Sequence, residues 1–205
     1  MAYVDLYWLP LGAGGHSVRL NARVYEWIVA HLARRQPLDL YHAGLEVDVP
    51  EGRYVIEMTP IPAGDSALRG VVAEGAVGSR LLRPFRIFRY EVRRWRGGTI
   101  PDVAEAVDGP RRLTEDVAVA RRLLELVPSV PAYVWGRDDL GAHDMWNSNS
   151  LVAWLLVSSG VSVEAVQPPA GGRAPGWHAG LVAAGQASTR AEAPSSAASA
   201  SRITT

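Results

Sequence analysis

The chain has 205 residues, enough for one domain with a core of its own and too few for two comfortable ones. Apolar residues make up 48%, and 21 basic residues cancel 21 acidic ones, so no long-range field draws the chain to nucleic acid or to an anionic membrane. Cysteine is absent, which excludes disulfides, thiolate metal sites and a cysteine nucleophile. Every basic residue is arginine, which reads as a compositional bias of the genome rather than a structural device.

The segment Met1–Asp5 carries an acid where a secretory leader would be basic, and no long apolar stretch follows. No run reaches the roughly 18 apolar residues of a membrane span. These features assign the cytoplasm and no membrane span.

Residues 3–9 predict a first strand, rich in aromatic and β-branched types, ended by Pro10 and a glycine turn. The turn, Gly12-Ala13-Gly14-Gly15-His16-Ser17, has neither the lysine of a phosphate loop nor the third glycine of a dinucleotide loop, so a plain connection is expected. From 20 to 35, Leu20, Val24, Trp27, Ile28 and Leu32 recur at helical spacing, with His31 at the edge of the apolar side. A hairpin follows: a strand over 38–49, the turn Pro50-Glu51-Gly52, and a returning strand over 53–59.

Residues 67–75 predict a third strand and 85–95 a fourth. The fourth alternates so that one side is more apolar, and its arginines are expected on a solvated face, with a local anion site as the alternative. Residues 113–127 read as a helix capped by Thr114, with Glu115 and Asp116 in the first turn, where the helix dipole favours acids. A short strand at 133–136 precedes a helix over 148–159 that Gly160 ends. Strands clustered between helices argue for an α+β fold, an antiparallel sheet packed with helices. The domain spans 1–166, an extended segment over 167–186 folds back on it or not, and the Ala- and Ser-rich 187–205 reads as a disordered tail.

Chemistry concentrates in two places. In Leu40-Tyr41-His42-Ala43-Gly44-Leu45-Glu46-Val47, strand alternation puts Ala43, Leu45 and Val47 on a core face. His42 and Glu46 then lie on the less buried face, with Gly44 leaving open space between them. Glu57, an acid inside an apolar returning strand, calls for a partner. A histidine and a carboxylate on neighbouring strands make a base and its orienter; the plainer reading is a partly exposed ion pair. The second place is Trp146-Asn147-Ser148-Asn149-Ser150, a polar knot running into the apolar helix. Ser148 and Ser150 are either caps or, at the positive end of a helix dipole, a nucleophile. His143-Asp144 is a candidate second base, but reads more simply as loop. No His-x-x-x-His spacing occurs, so neither metal nor cofactor is expected.

His-x-Gly-Leu-Glu-Val at 42–47, Glu-Met-Thr-Pro at 57–60 and Asn-x-Asn-x-Leu at 147–151 together resemble the circularly permuted papain-like superfamily. That group includes NlpC-type amidases, PPPDE isopeptidases and lecithin:retinol acyltransferases. The resemblance covers residues 38–160 and implies a permuted papain-like fold. It implies roles as well: His42 as the strand histidine, Glu57 as the polar third member, Asn147 and Asn149 as the asparagines flanking the nucleophile. Ser148 occupies the cysteine position. Trp146 and Tyr41 complete the implied substrate-binding set with the two asparagines, Trp146 as the wall of an apolar pocket. The family's thiolate can be held ionised, but a serine hydroxyl needs concerted proton removal by His42 and an oxyanion hole, for which the backbone N–H groups at 148–150 are candidates. Two functions stay open: a hydrolase transferring the acyl group of an amide, ester or thioester from a small molecule or peptide, or a non-catalytic descendant binding a ligand or protein partner. Nucleic acid is not an expected partner.

Overall fold

The alternation of residues 38–59 does build a hairpin, and the rest of the sheet grows outward from it. A computed structural model describes residues 1–11, 36, 38–61, 70–100 and 102–192, with side chains described to 188. Strand β2 (Asp39–Val49) turns through Pro50 and Glu51 into β3 (Gly52–Pro60). The first strand, β1 (Tyr3–Pro10), lies antiparallel on the other side of β2, with Leu6 opposite Leu45 and Leu9 opposite His42. Strands β4 (Val71–Ala76) and β5 (Arg89–Arg96) extend the sheet beyond β3, and β6 (Val107–Thr114) extends it beyond β1. The order is β4-β5-β3-β2-β1-β6, with the two-residue β7 (Gly172–Arg173) pairing in parallel with the start of β2.

Three helices cover one face among the described residues: α1 (Val117–Leu126), α2 (Ser148–Ser159) and α3 (Trp177–Glu192). The α+β class read from the sequence is therefore the one observed. The core lies between these helices and the side chains that alternate inward: Val4, Leu6 and Trp8 of β1, Tyr41, Ala43, Leu45 and Val47 of β2, Ile56 and Met58 of β3. Helix α2 buries every residue from Asn149 to Leu156. A helix that is apolar all round has to be central, and α2 sits between the sheet and its two neighbours. Gly160, in the left-handed region at φ 92°, ends it by returning its N–H to the last turn.

Several boundaries differ from expectation. The strand expected over 67–75 is β4, from 71 to 76; residues 62–69 lie outside the described set. The strand expected from Phe85 starts only at Arg89, because pairing with β4 ends at Ala76 opposite Arg89; residues 86–88 close into a 3₁₀ turn instead. Its arginines divide: Arg93 is 3% exposed and ion-paired with Glu91, itself 1% exposed, whereas Arg86 and Arg96 are exposed. The helix expected from Leu113 starts at Val117, since Thr114 ends β6 and Asp116 is the residue that caps Ala118 and Val119. Trp135 makes only isolated bridges, to Val77 and Trp146, in place of a strand.

Residues 177–192 are helical, where an extended segment and a tail were expected. Helix α3 packs so closely that a Cβ at Gly180 would strike the Ser150 carbonyl, and Ala183 and Ala184 belong to the core. The helix expected over 20–35 with His31, the glycine turn at 12–17 and the chain beyond 192 lie outside the described residues. Among the described residues no helix is long and apolar enough to cross a membrane.

Candidate functional site

The start of α2 is a capping box. Asn147 leaves the helix in extended conformation, and its Oδ1 accepts the N–H groups of Asn149 at 2.9 Å and Ser150 at 3.4 Å. The Ser150 hydroxyl accepts the Asn147 N–H at 3.0 Å in return. Buried completely, that hydroxyl donates to the Gly176 carbonyl at 2.6 Å. Asp144 reaches across to the other chain segment, where its carboxylate accepts the N–H groups of Gly176 and His178 and so caps the start of α3. The expectation that His143-Asp144 is loop leading into a cap holds for Asp144, although the helix it caps is α3.

Asn149 ties the start of α2 to β2. Its Oδ1 accepts the Ala43 N–H at 2.7 Å, and its Nδ2 donates to the carbonyls of Tyr41 at 3.0 Å and Pro175 at 2.8 Å. The β2–β3 ladder runs from Val49 only as far as Leu45, and β7 pairs at Asp39 and Leu40. Between those two stretches, the Asn149 carboxamide stands in for a neighbouring peptide and bonds β2 on both sides of His42.

The pairing register decides where His42 itself points. Leu9 lies opposite His42, and residues directly opposite in a sheet share a face. Leu9 belongs with Val55 and Ile100 to a second apolar cluster, distinct from the core that holds α2. A Cβ on Gly44 would come within 3.3 Å of Ile100 and 3.4 Å of Leu9, so Gly44 admits those side chains and leaves no open space there. His42 thus lies on the face of the sheet away from Ser148 and Ser150. The structure does not assemble the expected Ser148–His42 pair. Glu57 shares the His42 face, but its carboxylate is engaged by Arg93 at 3.5 Å. Burial pushes the His42 pKa below the ordinary histidine value, opposed by the charge of Asp102. Asp102 is therefore the carboxylate that His42 feels, and the sequence reading had missed it. Nothing in its local pattern marks it.

The remaining expected site residues are corrected in the same way. Asn149, Trp146 and Tyr41 are buried in the fold, at 2%, 1% and 8% exposed. Trp146 packs edge-on against Tyr133, with ring centroids 5.0 Å apart, so it is a core residue and not a pocket wall. Asn147 spends its carboxamide on the cap and on Pro175, to which its Nδ2 donates at 2.8 Å. Because Asn147 also takes the N–H groups of Asn149 and Ser150, two of the three candidate oxyanion donors are already occupied. Ser148 differs from its neighbours. It is half-buried at the first helical position, and its hydroxyl has no hydrogen-bond partner among the described residues. No group of three or more metal-ligating side chains comes together among the described residues.

A histidine held neutral by burial has a measurable signature. The His42 imidazole is expected to titrate below about 6.5, the unperturbed value, when followed by NMR through the folded protein. The unfolded chain takes up its proton at the higher pH, so this group's contribution to stability is present above that value and is lost as pH falls. Substituting His42→Gln should flatten that part of the acid limb of a urea-midpoint against pH plot.

No protein-family model, curated protein or solved structure matches the chain.

Proposed function

We propose that the chain is a non-catalytic member of the permuted papain-like group, a binding module in which the polar start of α2 holds the fold together. One observation carries the reading. The residue in the position of the family's base, His42, is on the opposite face of the sheet from the residue in the position of the nucleophile, Ser148. A general base has to come within about 3 Å of the proton it removes, directly or through one water, and a sheet stands between these two.

Descent from an enzyme of that group is supported by the way the Asn-Ser-Asn-Ser helix start docks on the strand that carries His42, through Asn149 bonding to Tyr41 and Ala43. Loss of the chemistry is supported by the serine in the cysteine position and by the Asn147 carboxamide bound where an oxyanion would go. Without His42 as its base, the Ser148 hydroxyl is no better a nucleophile than an ordinary alcohol.

Incubation of the full chain with a fluorophosphonate probe is the test. The expected result is no covalent labelling across neutral and mildly alkaline pH. Labelling that disappears in Ser148→Ala would overturn the proposal and restore the acyl-transfer reading.

A further inference from the structure

The excursion that joins β4 to β5, residues 77–88, is ordered by its own hydrogen bonds. Ser79 Oγ accepts the Leu81 N–H, Phe85 N–H donates to the Leu82 carbonyl, and Phe88 N–H donates to that of Phe85. Its base is tied down where Val77 N–H meets the Phe88 carbonyl and Gly78 N–H meets that of Trp135. Yet Leu81, Phe85 and Ile87 are 87%, 61% and 78% exposed. Apart from Met1, no other large apolar side chain described is exposed beyond 37%. Holding three such side chains outward in a fixed turn is unfavourable in water and calls for a cover.

The charges around the turn narrow what that cover is. Arg80 is paired with Asp139 and Arg89 with Glu74, and Arg86 is engaged as well, so the patch brings little charge of its own. Arg83 is the exception: it is exposed and makes no ion pair with a described residue. Beside the turn, which Arg80 and Gly78 join to residues 135–139, lies the exposed Asp138. The N–H groups of Ala142 and His143 hold its carboxyl below the usual carboxylate range, so it is a fixed negative charge. One apolar patch is thus flanked by a cation and an acid, each open to an outside partner. A two-fold axis through the patch completes both, because whatever one copy offers the other receives in return. A chain of zero formal net charge also sets up no repulsion between copies. The area suffices for a weak dimer. The three side chains expose roughly 400 Å² per copy, and with the rest of the turn two copies bury about 1,200 Å², the lower end for a specific interface.

We propose that the 77–88 excursion is a self-association surface. Leu81, Phe85 and Ile87 of two copies pack together about a two-fold axis, and Arg83 of each copy faces Asp138 of the partner subunit. The described surface holds no second patch of this kind, so the contact is isologous and the assembly closes at two chains. It stands independently of whether Ser148 reacts.

Sedimentation equilibrium of the full chain from about 1 to about 200 µM, in about 0.1 M salt, tests it. The expected result is a mass that rises from one chain to two, with a Kd of about 20 µM, and goes no higher. Phe85→Ser with Ile87→Ser should weaken association at least about tenfold. Arg83→Glu sets like charges against each other and should weaken it about fivefold, an effect that fades in about 0.5 M salt. Both variants should keep the wild-type urea midpoint at about 1 µM, since exposed side chains add little to the fold of one chain. A chain that stays monomeric throughout would overturn the proposal, as would growth beyond two chains or a dimer indifferent to Phe85→Ser/Ile87→Ser or to Arg83→Glu. Co-sedimentation of a monomeric chain with phosphatidylcholine vesicles, lost in Phe85→Ser/Ile87→Ser, would overturn it in favour of a membrane surface.

Discussion

Replacing Asn149 with alanine is expected to cost about 4 kcal/mol of unfolding free energy, one of the two largest losses foreseen for a single substitution in this chain. The estimate follows from what the carboxamide leaves behind. The Ala43 N–H and the Tyr41 carbonyl lose their partner inside the fold, and each orphaned buried group costs about 1–3 kcal/mol. The Pro175 carbonyl is spared because Asn147 Nδ2 also reaches it. Removing the side-chain atoms from a fully packed site adds a smaller cavity term. Urea unfolding should show the loss as a lowered midpoint with an unchanged slope, and the melting temperature should fall by about 12 °C for a domain of this size.

Asn149→Asp separates hydrogen bonding from packing. The shape is kept, and one oxygen still accepts the Ala43 N–H, but the other now faces the carbonyls of Tyr41 and Pro175. At neutral pH this variant should be destabilised as much as Asn149→Ala. Burial beside two carbonyls raises the new carboxyl's pKa in the folded state, so relative to wild type the stability is lost as pH rises and regained on acidification. A loss below about 1 kcal/mol in both variants would mean that the asparagine does not hold α2 to β2.

The parts of the fold that were readable from sequence are those whose pattern is local. The hairpin announces itself through alternation around Pro50-Glu51-Gly52, and α2 through an Asn-Ser cap before an apolar run closed by glycine. Strand β6 hides because Asp108 and Gly109 adopt positive φ and Pro110 follows, which breaks the pattern on an exposed edge. Helix α3 hides because its sequence is poor in large apolar residues. It is held by close approach at Gly180, by Ala183 and Ala184 in the core, and by a cap from Asp144 more than thirty positions away.

The candidate site was half legible, and the missing half was implied by what could be read. Alternation correctly puts Ala43, Leu45 and Val47 on the core face. A helix as uniformly apolar as α2 has to lie in that core, so the same alternation turns His42 away from it. Short motifs at 42–47 and 147–151 align with a catalytic pattern through residue identity alone; they carry no information on which face each side chain occupies. The cost of leaving Ala43 and Tyr41 unpaired explains why Asn149 has to be an asparagine without any reference to catalysis.

Arg93→Met is expected to be as damaging, at about 4 kcal/mol, and it reports on the face that carries His42. The guanidinium donates through Nε and Nη2 to Glu91 Oε2 at 3.1 and 2.9 Å and faces Glu57 on the neighbouring strand. Its removal leaves the Glu91 carboxylate buried with no other compensating cation among the described residues, and it is this orphaned charge that makes the single substitution costly. The double variant Arg93→Met/Glu91→Leu should recover to within about 1 kcal/mol of wild type, because a packed apolar pair replaces a buried ionic one at little net cost. Strong coupling in this double-mutant cycle would mean that water does not reach the face. If Arg93→Met alone costs less than about 1 kcal/mol, the pair is solvated. Solvent could then reach His42 beside Asp102, and a proton-transfer role for that pair, on the far side of the sheet from Ser148, would become the reading to pursue.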